Sequence, residues 1–445
     1  MLIRFVVENY LSFKEEAEFN MLSGNFRIHQ EHIYTLSKDL SLIKVAAIYG
    51  ANGAGKSNLV LAMEAARNLI LEGTETAKTK LDHRYFKLDK TCREKPSKFE
   101  FEFVVNGTCY AYGISFLSDR IQDEWLYKTK PGKDDELVFE RETSLDFKTT
   151  IQLHPQYLKT EKEKVKVEIY QEEIRPNQPF ITEASEKDIE YVKEPFSWFD
   201  EILEIVHPHS ELDGLFENIL LNEKYQKKTN QIIKAIDTGV TSIAAQEINI
   251  DQLFGLHEIE EKEDILKWLE KEEVAVYEGK DDIKYGIYLN EDGEPRAVKL
   301  VTRHQVNGSA IDFDFIEESD GTKRLIELTP AFIDTMLKDK VYIVDEFNRS
   351  MHPQMAKQLI EMYLSSDSSR SKGQLIFTTH ESSLLDLKLF RQDEIWFAEK
   401  DNQGISSIYP LSEFKPRYDK DIRRGYLQGR FGAVPFLGNL QELDW

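Results

Sequence analysis

Gly50-Ala51-Asn52-Gly53-Ala54-Gly55-Lys56-Ser57 puts a lysine and a hydroxyl at the end of a turn almost free of side chains. Glycine lets backbone N–H groups close around an anion that bulkier residues would hold off. Asn52, Gly53, Gly55, Lys56, Ser57 and Asn58 are therefore expected to cradle the phosphates of ATP. Lys56 supplies a mobile positive charge for the β- and γ-phosphates, and Ser57 a hydroxyl for Mg²⁺. Val341-Tyr342-Ile343-Val344-Asp345-Glu346 is an apolar run ending in two carboxylates. Asp345 is placed to hold the Mg²⁺ shell and Glu346 to polarise the attacking water. Leu375-Ile376-Phe377-Thr378-Thr379 runs into His380, which could donate to a γ-phosphate. Ser319-Asp320-Gly321-Thr322-Lys323-Arg324 offers a hydroxyl and a glycine N–H at a helix start. That is an anion site, and equally an ordinary N-cap.

These groups act together only if regular elements aim them. An apolar run, Val45-Ala46-Ala47-Ile48-Tyr49, precedes the glycine-rich turn, and residues 58–70 carry a helical pattern after it. Strand, loop and helix in that order make a phosphate site. The carboxylate pair and the histidine each close an apolar run with one helix length between them, as parallel α/β architecture requires. Residues 98–105 alternate, Asn106-Gly107 is a two-residue hairpin signal, and residues 109–116 return. With a further start at residues 125–127, an antiparallel meander should follow the first helix.

From 135 to 250 strand signals weaken and helical patterns take over. Leu221, Tyr225, Ile232, Ile233 and Ile236 fall at helical spacing, with Asp237-Thr238-Gly239 as an exit turn. His207-Pro208-His209 reads as a loop, because no cysteine or third ligand accompanies it. Residues 258–273 read as an amphipathic helix, and strands follow at 274–276, 283–289 and 297–302, with a turn at Asp292-Gly293.

Bulk properties bound the function. At 445 residues the chain can bury a large core, and no apolar run approaches the ~18 residues of a membrane span. Met1-Leu2-Ile3-Arg4-Phe5-Val6 lacks the apolar core of a signal peptide, and only Cys92 and Cys109 are present. A cytoplasmic protein with no membrane partner is expected. A net charge of −23 repels phosphate backbones and argues against a general DNA coater. Local DNA binding stays open through the basic runs 159–166 and 415–430, which otherwise are solvated faces.

The order of the four elements resembles the ATP-binding-cassette ATPases of the RecF and SMC branch. The resemblance implies an α/β head, with a mixed sheet, an antiparallel β-subdomain and a P-loop parallel core, plus a mainly helical insertion. It also implies that ATP is sandwiched between two heads. Lys56, Ser57, Asp345, Glu346 and His380 would then act in cis, and Ser319 and Gly321 in trans. Ser319-Asp320-Gly321 keeps only the serine and one glycine of the usual signature. Gln122 is the candidate for the family's glutamine loop.

The chain is similar in particular to compact bacterial ATPases of phage defence: abortive-infection proteins and the ATPase subunits of the PARIS and Septu systems. That likeness rests on Phe5-Val6-Val7-Glu8-Asn9-Tyr10-Leu11-Ser12-Phe13, the four motifs, Ser350-Met351-His352-Pro353, and Tyr426-Leu427-Gln428-Gly429-Arg430-Phe431-Gly432-Ala433-Val434-Pro435. Tyr10 or Phe13 would contact the base, or else belong to the core. The implied organisation is 1–134, the first half of the head; 135–250, the insertion; 251–410, the second half; and 411–445, a basic and aromatic tail. The 65 residues after His380 leave no room for the Toprim nuclease domain of the overcoming-lysogenisation enzymes. The expectation is a slow, regulatory ATPase that pairs with itself and controls a neighbour-encoded toxin or nuclease. The alternatives are a RecF-like repair ATPase that binds DNA and a simple nucleotide switch.

Overall fold

The computed structural model describes residues 1–208, 213–236, 238–254, 259–269, 273–279, 283–365, 371–418 and 420–434. They divide into two compact units: Met1–His207 with Lys338–Phe347 and Leu364–Trp445, and Pro208–Leu337 with Asn348–Tyr363.

A six-stranded sheet carries the first unit. Its order is Leu203–Val206, Val341–Val344, Gln374–Thr379, Val45–Tyr49, Ile395–Lys400, Ser406–Pro410. The first five strands are mutually parallel and the last is antiparallel. Val45–Tyr49 and Val341–Val344 are buried at every residue, which is why they read as unbroken apolar runs instead of alternating ones. The helix Lys56–Glu72 leaves the C-terminal end of Val45–Tyr49 and buries Leu59, Val60, Ala62, Met63, Ala66 and Ile70.

The second sheet of this unit is antiparallel and seven-stranded. Its order is Thr149–Leu153, Glu136–Thr143, Ile121–Thr129, Thr108–Phe116, Ser97–Val105, Leu2–Glu8, Ala17–Asn20. The expected hairpin is present: Asn106 and Gly107 have φ of 48° and 82°, the pair of positive values a type I′ turn needs. The meander runs two strands past residue 134. The core uniting both sheets is aromatic. Trp198 stacks on Phe103 at 4.4 Å, and Phe101, Phe199 and Tyr112 close around them.

The second unit has a five-stranded antiparallel sheet: Val240–Ile248, Pro295–Val306, Lys284–Leu289 and Val274–Glu278 in order, with Ser309–Asp314 on Pro295–Val306. Leu215, Phe216 and Ile219 of Asp213–Leu221, Ile233 of Glu223–Ala235 and Ile326 of Asp320–Leu337 cover it. The helical pattern of residues 220–236 is thus broken once, where the Asn222 side chain accepts the Tyr225 N–H at 3.0 Å and caps a new helix. Asn307 and Gly308, at φ 52° and 80°, turn a further hairpin in place of the single strand expected at 297–302. The helix expected over 258–273 spans Ile259–Trp268. Asp237, His209, residues 255–258 and 270–272, and the tail from Pro435 onward lie outside the described residues.

Candidate nucleotide-binding site

The glycine-rich turn sits where the sequence predicts, between the strand Val45–Tyr49 and the helix Lys56–Glu72. Gly53 and Gly55 take φ of 78° and 112°, open to glycine and strained for other residues. A Cβ on Gly55 would stand 2.4 Å from Ser406 Oγ. Gly55 is also the N-cap, so no side chain caps this helix and no acidic residue occupies its first turn. Its first N–H groups are left for an external anion, favoured by the helix dipole. The loop therefore fits a phosphate by its own construction.

Lys56 is buried, and its Nζ donates to the carbonyls of Gly50 at 2.7 Å and Ala51 at 3.1 Å. Burial holds this ammonium below its usual pKa, while Asp345 and Glu346 pull it back up. The carboxylate pair thus acts electrostatically on the loop lysine although 289 residues separate Lys56 from Asp345. A cleft of about 380 Å³ is lined by Asn52, Gly53, Lys56, Ser57, Glu346 and His380, among others. That volume is within the range of small-ligand sites.

Thr378 organises the acidic side. It is fully buried on Gln374–Thr379, and its hydroxyl donates to Asp345 Oδ1 at 2.5 Å and accepts the Glu346 N–H at 2.8 Å. Glu346 sits at φ 48°, a strained value for a non-glycine residue and a frequent mark of functional sites. His380 follows the same strand and is exposed.

Three contributors escaped the sequence reading. Thr378 was visible only as strand filler. Lys400, at the end of Ile395–Lys400, lines the cleft and is exposed. Ser406 Oγ donates to Ala54 O at 2.8 Å and shares a hydrogen bond with Ser12 Oγ at 2.8 Å, and Asn58 Nδ2 donates to Ser12 Oγ at 2.6 Å. Asn58 thus lines the cleft and also ties the loop to Ser12. Ala433 O, from the tail, accepts the Ala51 N–H at 3.0 Å. Tyr10 and Phe13 are wholly buried and belong to the core, not to a base pocket. Gln122 bonds its neighbour Asp123 at 3.2 Å and does not line the cleft. His207 is paired with Glu64 at 2.7 Å.

Ser319 and Gly321 belong to the second unit. Ser319 is exposed, and its Oγ accepts the Thr322 N–H at 3.2 Å, so it caps the helix Asp320–Leu337. A Cβ on Gly321 would lie 2.7 Å from Ser350 O. Lys323, Arg324 and Arg349 line an adjoining cleft of about 350 Å³ with Asp320, Glu327 and Ser350. Burial raises the pKa of Glu327, against the pull of Arg324, Lys323, Lys284 and Arg349.

A family model described as "AAA domain, putative AbiEii toxin, Type IV TA system" matches residues 45–386, well over half of the chain, including the glycine-rich turn, Ser319–Arg324, the carboxylate pair and His380. The chain belongs to this AAA-domain family. Membership, with the motifs ordered along a parallel sheet, bears out the resemblance to ABC-type ATPases of the RecF and SMC branch. No curated protein matches this AAA-family chain by sequence. Solved structures similar to it include the SMC head domain from Thermotoga maritima, at 14% identity and TM-score 0.40, covering 92% of this chain and 98% of that one. Another is an SMC head bound to the C-winged helix domain of ScpA, at 13% and 0.40, covering 93% and 99%. Among the described residues, no helix of this family member is long and apolar enough to cross a membrane.

Proposed function

We propose that this protein is a slow, regulatory ATPase whose copies pair around ATP, and that it senses and scaffolds in phage defence, controlling a separate toxin or nuclease. The observation that carries the ATPase reading is the single cleft lined by the uncapped helix start at Lys56, by Glu346 and by His380. In this reading Asn52, Gly53, Gly55 and Lys56 bind the phosphates, Glu346 holds and polarises the attacking water, and His380 faces the γ-phosphate. Ser57 and Asp345 would hold Mg²⁺, which supplies charge neutralisation at the phosphates when bound.

The paired assembly is supported by the second unit. Ser319 is exposed beside a cleft carrying Lys323, Arg324 and Arg349, a chemistry suited to the phosphate of an opposite copy's nucleotide. Closure can transmit only the difference in affinity that the γ-phosphate makes between closed and open states. The defence role rests on the resemblance of the motifs to those of phage-defence ATPases, and the family description, which names a putative toxin of a toxin–antitoxin system, supports it.

Glu346→Gln tests this. It should keep ATP binding, slow turnover by roughly 10²–10⁴-fold, the scale for losing a general base, and accumulate ATP-dependent dimers in mass measurements. Ser319→Arg should keep ATP binding and lose the dimer. Normal turnover in Glu346→Gln would remove Glu346 from its role. Purification with the genomic neighbour, with and without ATP and Mg²⁺, tests the scaffold. DNA binding that strengthens with ATP and weakens with salt would favour repair instead.

A further inference from the structure

Outside the phosphate cleft, His29, Glu31 and His32 bring one ligating atom each to within 4.8 Å of the others. Their hydrogen bonds decide which atoms these are. Nδ1 of His32 meets both oxygens of Glu394, at 3.0 and 3.1 Å, and Nε2 of His29 meets the Leu387 carbonyl at 3.1 Å. A neutral ring has one N–H, and in each ring the shorter contact, to the Leu387 carbonyl or to Glu394, takes it. The nitrogens left over are Nδ1 of His29 and Nε2 of His32. They face the same Glu31 oxygen, at 3.3 and 3.8 Å.

In neutral rings those two nitrogens are lone pairs, so three acceptor atoms lie within 4.8 Å of one another. Protonating both rings instead would set two cations face to face, since the imidazoles stack at 4.8 Å with planes 10° apart. A single divalent cation satisfies all three groups once the His29 ring, the more exposed of the two, turns out of the stack. Glu394 supports the same conclusion. Its side chain is fully buried and accepts the Arg391 N–H at 2.7 Å, and a neighbouring positive charge favours such a carboxylate. A metal-bound imidazole provides one through His32, and a carboxylate behind a ligating histidine is the usual outer shell of such sites.

We propose that His29, Glu31 and His32 form a zinc site, independent of the nucleotide reading. Two imidazoles and a carboxylate suit Zn²⁺ and leave a fourth position for water or a partner's ligand. The Glu31 side chain is 48% exposed, so that position opens to solvent. The site would staple the segment around residues 24–32 to the approach of the strand Ile395–Lys400. Arg391 Nη1 already donates to Ile28 O at 2.8 Å, and the Gly24 N–H to Asp393 at 2.6 Å. Glu394 also accepts, through its carbonyl, the Ala47 N–H of the strand before the phosphate loop at 2.8 Å.

The test strips the full-length protein with a chelator and titrates Zn²⁺ alone against a chromophoric competitor, with metal content read by mass spectrometry. Wild type should bind one ion per chain. His29→Ala and Glu31→Ala should each weaken binding by more than the roughly 10–100-fold that loss of an outer-shell partner brings, and Glu394→Gln by about that amount. Zinc should raise the melting temperature of wild type and not that of the two alanine variants. Absence of stoichiometric zinc on wild type, or wild-type affinity in both His29→Ala and Glu31→Ala, overturns the proposal. Far-UV spectra check folding, and Glu31→Gln is read in place of any alanine variant that fails it.

Discussion

Replacing Thr378 by valine should separate turnover from nucleotide binding. The side chains are nearly isosteric, so the fully buried position stays filled. What goes is the hydroxyl that donates to Asp345 at 2.5 Å and accepts the Glu346 N–H at 2.8 Å. A hydrogen bond to a carboxylate contributes about 1.5–3 kcal/mol and one between neutral groups about 0.5–1.5 kcal/mol. Together they hold Glu346 at its strained φ of 48°. Releasing about 2–4 kcal/mol of restraint lets that carboxylate swing away from the cleft, and a displacement near 1 Å costs about 10²-fold in rate. The expected result is a fall in turnover of about 30–300-fold, with ATP affinity within about threefold of wild type. Single-turnover hydrolysis and fluorescent-nucleotide titration read the two separately. Thr378→Ser, which keeps the hydroxyl, should recover most of the rate. Unchanged turnover in Thr378→Val, or failure of Thr378→Ser to recover it, refutes the reasoning.

Lys400→Ala should weaken ATP binding by about 3–10-fold and ADP binding less, because one unshielded lysine at the cleft mouth contributes about 1 kcal/mol to the outer phosphate; equal losses for both nucleotides would place Lys400 away from it. Gly55→Ala meets both a φ of 112° and Ser406 Oγ at 2.4 Å, so it should lower stability by about 1–3 kcal/mol and abolish nucleotide binding, read by thermal melts and titration. Lys56→Ala should remove ATP binding without lowering the melting temperature, since it relieves a buried ammonium. Asn222→Ala removes the cap of Glu223–Ala235 and should cost about 1 kcal/mol in urea unfolding, with turnover unaffected.

Much of the cleft was legible because its parts are local. A glycine-rich turn and a carboxylate pair on an apolar run are each set within eight residues, although the strands that carry them, Val45–Tyr49 and Val341–Val344, flank Gln374–Thr379 and do not adjoin. Thr378 and Ser406 were not legible, because their roles depend on which strands adjoin, and register is a tertiary property. The strand Glu136–Thr143 was missed for a different reason. Its inward positions include Arg141, 2% exposed, whose guanidinium donates to the carbonyls of Ile121 and Pro176 at 3.1 and 2.9 Å. A buried arginine breaks the apolar alternation by which strands are recognised. The second hairpin of the smaller unit had its Asn307-Gly308 signal in plain view. Its outer strand, Ser309–Asp314, is exposed along nearly its whole length and so carries no apolar pattern.

The brace formed by Ser12, Ala54 and Ser406 has a consequence for the order of events on the ribosome. Ala54 and Ser406 are 352 residues apart in the chain. At roughly 5–20 residues per second, the loop would wait about 20–70 s after its own synthesis before its support emerges. Through that interval the nascent polypeptide displays the glycine-rich turn without the strand that fixes it. Competence for nucleotide would then switch on late in translation, so that prematurely terminated products remain inert.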